Sequence, residues 1–236
     1  MKARLPSDYK QLLSAGTWFG GLADELRNAL LGAAVLKHYA VGQTVMTRGE
    51  PPRGLFGVIE GSIRVGSTNA DGDESILVFA EPPTWFGEVS TIDGGPMTHD
   101  AVADRESVLV HIARPKLDAL LAEKPERWRD MGRLMAMKVR LLFTVMEELL
   151  RLPASALLAQ RLIHMAEGYG GWDDRTARVL SVNQEHLATL CAVSRQTVNQ
   201  VLSNLEELKL LRRAYAGIEI LDLPGLRKVA GRLLAR

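Results

Sequence analysis

Cysteine is almost absent from this chain: one residue, Cys191, in 236. That excludes an internal disulfide framework and any iron–sulfur or zinc site built only from the cysteines of one chain. Cys191 falls at the bend between two short helical stretches, where a small buried hydrophobe is expected rather than a redox sensor. Long apolar runs are missing as well. None reaches membrane-spanning length, and the N-terminus, MKARLPSDYK, has no signal-peptide core, so a cytoplasmic protein with no membrane partner is expected. A surplus of one charge sign is lacking: 29 Lys+Arg stand against 28 Asp+Glu, which argues against a uniformly basic nucleic-acid coat. Catalytic signatures are absent. His38, His99, His111, His164 and His186 form no metal-spaced set, and there is no nucleophile elbow and no P-loop. Neither an enzyme nor a metal site is expected.

The residues present speak most clearly near the far end, in HLATLCAVSRQTVNQVLSNLEELKLLRR, residues 186–213. His186 to Leu190 reads as a short helix and CAV as a tight connection. Ser194 is a good N-cap for a second helix whose inward face is Val198, Val201, Leu202, Leu205 and Leu208. The outward face shows Arg195, Gln196, Asn199, Gln200 and Ser203. Amide and guanidinium groups match base edges in a major groove, where an ordinary solvated helix carries Glu and Lys. This is the helix-turn-helix pattern; the blander alternative is a plain helical hairpin. LKLLRRAYAGIEIL then reads as strand, Gly-centred turn and strand, the hairpin of a winged helix. Charge supports the first reading. From Ser194 to the end there are eight Lys/Arg against four acids, leaving the rest of the chain net acidic, so positive charge gathers where phosphates would be met.

The length suits two domains. Short helices are expected over Ser7 to Leu13 and Leu22 to Leu31. From Lys37 the hydrophobic period becomes two, with turn signals at Gly42, Gly49-Glu50-Pro51, Glu60-Gly61 and Asp71-Gly72, and further strands from Ala101 to Ile112. Many short strands so punctuated predict a small antiparallel barrel or roll that closes its own edges. After a short helix at Lys116 to Ala122, an uninterrupted helix is predicted from Pro125 to Leu152, ended by Pro153. Along it Met131, Met135, Lys138, Leu142, Val145 and Leu149 recur in a coiled-coil seam. A single helix packed on its own barrel would bury the same stripe. A helix near Ser155 carries Leu157, Leu158, Leu162, Ile163 and Met165 inward. Glu167 to Thr176 reads as a loop, Ala177 to Ser181 as a short strand, and a terminal helix opens at Pro224.

HYAVGQTVMTRGEPPRGLFGVIEGSIRV resembles the opening of the cyclic-nucleotide-binding β-roll, and the helix-turn-helix resembles that of the Crp/Fnr transcription regulators. Together, in this order and at this separation, they cover nearly the whole chain. The resemblance implies an α+β fold with three parts: a double-stranded β-helix or jelly-roll effector domain over 1–122, a long dimerisation helix over 123–152, and a winged helix-turn-helix over 153–236. It implies a homodimer paired through the long helix, in which Lys138 should weaken the seam or find an acid across the interface, and an inverted-repeat DNA site. Arg195, Gln196 and Gln200 fall where family members reach base edges. Gln196 replaces the common Glu and Gln200 the common Arg, so the half-site should depart from TGTGA while keeping the guanine met by Arg195. Ser194, Thr197 and His186 are expected on phosphates, with Arg212 at the wing.

In the family a Gly-Glu loop and a following Arg-Ser hold the cyclic phosphate. Gly87 and Glu88 match. The Arg-Ser pair falls on Thr98 and His99, with Asp100 adjacent, and the adenine-facing positions of the long helix become Leu142 and Phe143. These departures argue against cyclic AMP and leave the effector unknown: a different small molecule in a partly apolar pocket, a cyclic dinucleotide at some other surface, or none. Glu88 is expected to cap its own loop. Haem through His99 has little support, and an iron–sulfur cofactor none. RNA polymerase is a partner if the protein activates transcription. The rival from another class is a ligand-sensing module that acts on a protein partner without binding DNA.

Overall fold

The computed structural model describes residues 4–69, 71, 74–170, 179–214 and 217–234. Several predicted features lie outside these residues: the Gly72 side of the Asp71-Gly72 turn, most of the loop through Trp172 and Thr176, the start of the strand at Ala177, and Tyr215 and Ala216 of the wing turn. The chain divides into two compact units, one running to Val139 and the other from Arg140 onward.

The first unit begins with a short 3₁₀ turn at Pro6–Tyr9 and three helices, α1 (Lys10–Ser14), α2 (Thr17–Gly20) and α3 (Asp24–Ala33). Eight strands follow: β1 (Val35–Tyr39), β2 (Thr44–Met46), β3 (Gly54–Glu60), β4 (Ile63–Thr68), β5 (Glu74–Ala80), β6 (Trp85–Phe86), β7 (Asp100–Ala103) and β8 (Ser107–Ala113). They form two four-stranded antiparallel sheets, ordered β1-β8-β3-β6 and β2-β7-β4-β5. The chain therefore winds back and forth between two sheets, the roll that the glycine spacing predicts. Gly61 shows why the punctuation is needed. Its φ is +86°, and a Cβ there would lie 2.2 Å from the Ser107 hydroxyl oxygen, so only glycine suits the turn.

Alternation along the strands creates two cores. Between the sheets lie Val45, Met46, Phe56, Val58, Ile63, Phe86, Ala101 and Leu109. On the outer face of the first sheet, Leu55, Val110 and Ile112 meet the N-terminal helices and α5 (Arg114–Glu123). There Phe19 and Trp85 stack with ring centroids 5.2 Å apart. Met131 and Leu134 of the long helix α6 (Glu126–Arg151) are buried in this second core.

The second unit holds the rest of α6, then α7 (Ala154–Ala166), the short strand β9 (Val179–Leu180), α8 (Gln184–Cys191), α9 (Arg195–Glu207), the hairpin β10 (Leu211–Ala214) and β11 (Gly217–Ile220), and α10 (Leu223–Leu234). Its sheet is ordered β10-β11-β9. Pro153 sits at the N-cap of α7, and the predicted inward residues of that helix, Leu157, Leu158, Leu162, Ile163 and Met165, are all buried.

Candidate DNA-binding surface and effector pocket

The two helices α8 and α9 form the predicted helix-turn-helix. The first is longer than the sequence reading had it, because Asn183 caps it: the His186 backbone N–H donates to Asn183 Oδ1 at 2.7 Å. That signal, an Asn two residues ahead of Glu185, was legible and was missed. The connection turns on Ala192, whose φ is +52°. Ser194 caps α9 as expected, accepting from the Thr197 N–H at 3.0 Å. Val198, Val201, Leu202 and Leu205 are buried. Leu208 is a correction. It is the C-cap residue and 59% exposed, since the helix ends before its side chain can reach the core.

The polar face of α9 projects away from the protein. Arg195, Gln196 and Gln200 are exposed, with Asn199 and Thr197 half-buried. Arg195 and Gln196 make no hydrogen bond or ion pair among the described residues, and Gln200 donates to Asn204 Oδ1 at 3.0 Å. A guanidinium left in water at the first turn of a well-capped helix is available for an external acceptor. The wing differs. Arg212 Nε donates to Glu219 Oε2 at 3.0 Å, and Arg213 Nε donates to Glu206 Oε2 at 2.9 Å, so each wing arginine already holds a carboxylate.

Behind this surface lies a buried charged cluster. Glu148 near the end of α6 shares a hydrogen bond with His164 Nε2 at 2.8 Å and lies 3.6 Å from Arg161 Nη1. All three side chains are at least 87% buried. Cys191 is buried in the same unit, where desolvation pushes its thiol up to about 11 against a small opposing effect of Arg161. An inert thiol is what its position predicts.

In the first unit, β6 is followed by Gly87, which enters the left-handed region at φ +98°. A Cβ at Gly87 would lie 2.4 Å from the Gly54 carbonyl oxygen. This turn delivers Glu88 as the first residue of the short helix α4 (Glu88–Asp93). The Glu88 carboxylate does not cap its loop. Only 4% of its side chain is exposed, and its partner is Lys138 of α6, whose Nζ donates to Oε2 at 2.7 Å. Lys138 thus finds its acid within its own chain, which corrects the expectation of an acid across an interface. Asp100 is also engaged, accepting from the backbone N–H of Arg48 at 2.8 Å and of Thr68 at 3.2 Å. His99 shares a hydrogen bond with the Thr98 hydroxyl at 2.9 Å. Burial, with Arg48 adding to it, holds its imidazole below the ordinary value.

The seam residues divide into two groups. Met131 is buried in its own core, and Lys138 is tied to Glu88. Met135 and Val145 are half-buried. Beyond them an apolar stripe stands exposed: Val139, Leu142, Phe143, Met146, Leu149 and Leu150, the last at 82%. Leu142 and Phe143, expected in the effector pocket, belong to this stripe, in the second unit.

Residues 36–124 match the model of the cyclic nucleotide-binding domain, and residues 157–229 match that of the Crp-like helix-turn-helix domain. The chain is 30% identical over 182 residues to a CRP-like cAMP-activated global transcriptional regulator of Mycobacterium tuberculosis, covering 77% of this chain and 81% of the relative. This chain belongs to the Crp/Fnr family of transcription regulators. The family are regulators rather than enzymes, and they bind DNA through this helix-turn-helix. A further relative, the cyclic AMP receptor protein of Thermus thermophilus, is 26% identical over 90% of this chain and 95% of its own. Among solved structures, a CRP-family transcriptional regulator from Thermus thermophilus aligns with TM-score 0.66 at 28% identity, covering 84% of this chain and 98% of its own. FixK2 from Bradyrhizobium japonicum aligns with TM-score 0.72 at 20% identity over 83% and 96%, a likeness of fold. No helix among the described residues is long and apolar enough to cross a membrane.

Proposed function

We propose that the protein is a homodimeric, sequence-specific transcription regulator of the cytoplasm that reads an inverted repeat and does not take cyclic AMP as its effector. The observation that carries the DNA reading is Arg195 and Gln196, exposed and without a partner among the described residues, at the capped start of α9, with the opposite face of that helix in the core. Arg195 offers the fork that meets guanine O6 and N7, and Gln196 the amide that bridges adenine N6 and N7. Ser194, Thr197, Asn199, Gln200 and His186 flank them, suited to phosphate contacts and neighbouring bases. The exposed stripe from Val139 to Leu150 supports pairing of two long helices, since an apolar face of that extent favours burial. Two recognition helices then meet successive turns of the duplex, about 34 Å apart.

Against cyclic AMP stand Thr98 and His99, which supply no cation where the family has Arg-Ser, and Glu88, whose carboxylate is held by Lys138. This chain keeps the Gly87–Glu88 loop and changes the countercharge. If such a dimer activates transcription, RNA polymerase is the partner through which it acts. Selection of bound duplexes from a random pool tests the reading: an inverted repeat should emerge, and Arg195→Ala should lose the preference at its guanine, at a cost of about 1–3 kcal/mol. Recovery of no palindrome, or an Arg195→Ala variant with unchanged preference, removes it.

A further inference from the structure

The ion pair between the buried Glu88 and the partly exposed Lys138 is the feature of this molecule that the DNA surface does not use. We infer that Lys138 takes the place of an effector: by pairing with Glu88 it holds the long helix against the Gly87–Glu88 loop, so that DNA binding needs no nucleotide. The inference rests on the regulator reading above and says which kind of regulator this is.

Three observations carry it. Glu88 is a charged side chain with 4% exposure, and its sole hydrogen-bond partner among the described residues is the Lys138 ammonium at 2.7 Å. A carboxylate so buried is stable only with its countercharge, which makes the pair obligatory and not a surface accident. The pair joins two elements that must stay in register. Gly87 fixes the loop by a backbone conformation and a contact that no other residue can occupy, and Met131 and Leu134 seat the same helix in the core two turns and one turn before Lys138.

Among the described residues, no cation other than Lys138 bonds to Glu88. Asp100 spends both carboxylate oxygens on backbone amides. His99 is held toward its neutral form by burial, and the charges facing it are Arg48, Asp100, Lys138 and Glu88. A cyclic phosphate arriving here would meet Thr98 and His99, and its ribose would have to displace Lys138 from Glu88. The seam position that looks like a defect in a coiled coil is thus the helix's own tether.

The test uses the full-length protein and a duplex taken from the selection experiment. Kd is measured by fluorescence anisotropy alone and with saturating cyclic AMP or cyclic GMP, alongside amide hydrogen exchange across residues 126–139. Wild type should bind without nucleotide, and either nucleotide should shift Kd by less than about twofold. Lys138→Met should weaken DNA binding by roughly tenfold, a usual size for coupling between sites, and speed exchange in that segment. Should Lys138→Met fail to fold with its orphaned carboxylate, Glu88→Gln/Lys138→Met removes the charge and should show the same faster exchange.

Nucleotide tightening the wild-type complex by about tenfold or more would overturn the inference. So would unchanged exchange and unchanged affinity in the variants. Wild type binding no duplex in either condition is failure of the DNA reading, and the exchange data then decide the tether by themselves.

Discussion

The long helix α6 is anchored by a buried charge in each compact unit, and the two anchors are built with opposite sign. In the first unit the helix supplies the cation, Lys138, to a carboxylate on a loop. In the second it supplies the anion, Glu148, to two bases on the next helix, Arg161 and His164. The first anchor is one bond, and its lysine keeps 36% of its side chain in water. The second is a triad with 10% exposure or less at Glu148 and Arg161. Both buried carboxylates need their countercharge, but the Lys138 ammonium is partly in water and the Arg161 guanidinium is not. The difference is therefore one of degree: α6 is fixed to α7 across the Pro153 break by enclosed groups, whereas its tie to the Gly87–Glu88 loop ends on a cation that water still reaches.

The largest effect expected from breaking this comparison is at the enclosed anchor. Glu148→Leu strands Arg161 without a carboxylate and should destabilise the second unit by roughly 3–5 kcal/mol. Lys138→Met, with its partly hydrated cation, should cost the first unit about 1–3 kcal/mol. Urea denaturation ranks the two, and hydrogen exchange of α9 against β3 and β8 assigns each loss to its unit. Equal losses would mean that the two anchors are of one kind.

Acid should sharpen the contrast next. His99 and His111 lie in the first unit, and burial is the main cause holding both imidazoles below their ordinary value. His111 stacks on Phe56 with centroids 4.3 Å apart and shares a hydrogen bond with the Arg53 carbonyl. A group whose folded pKa is depressed is protonated more readily in the unfolded chain. Stability is therefore full above about pH 6.5 and falls as pH drops below it. The denaturation midpoint of the first unit should decline over that range, and His111→Gln should flatten the decline. A midpoint independent of pH there would contradict it.

The smallest effect is at the wing, where the contrast is with Arg195. Arg195 is unpaired among the described residues, while Arg212 holds Glu219. An exposed pair of this sort is weak, so Glu219→Gln should raise DNA affinity only about two- to threefold. It should also steepen the log–log salt dependence by roughly 0.9 if Arg212 then neutralises one more phosphate. Salt titration of binding reads both.

Much of this was legible in the sequence for local reasons. Gly42, Gly49 and Gly61 mark turns because their positive φ is a property of single residues, and Ser194 announces α9 because a cap bonds to the backbone three residues on. The exposure of Arg195 and Gln196 followed from the helical period of their apolar neighbours. What was not legible depends on distant partners. A stripe through Met131, Lys138 and Leu142 states that one side of a helix is apolar and is silent about what it meets. The structure puts Met131 in its own core and leaves Leu142 exposed. The Glu88–Lys138 pair spans 50 positions, and Glu148 meets His164 across a proline that reads as a break. No local pattern encodes either meeting. Pairing of β1 with β8, Val35 opposite His111, is of the same kind.

The solitary thiol has a practical consequence. Because Cys191 is shielded and its deprotonation is driven up to about 11, reagents that seek thiolates will pass it by in the folded protein. A cysteine placed at exposed Asn204, on the recognition helix, would then be the position in each chain that takes a spin label or dye. In the proposed dimer, that background is a ready frame for measuring how far apart two such helices stand, on and off DNA.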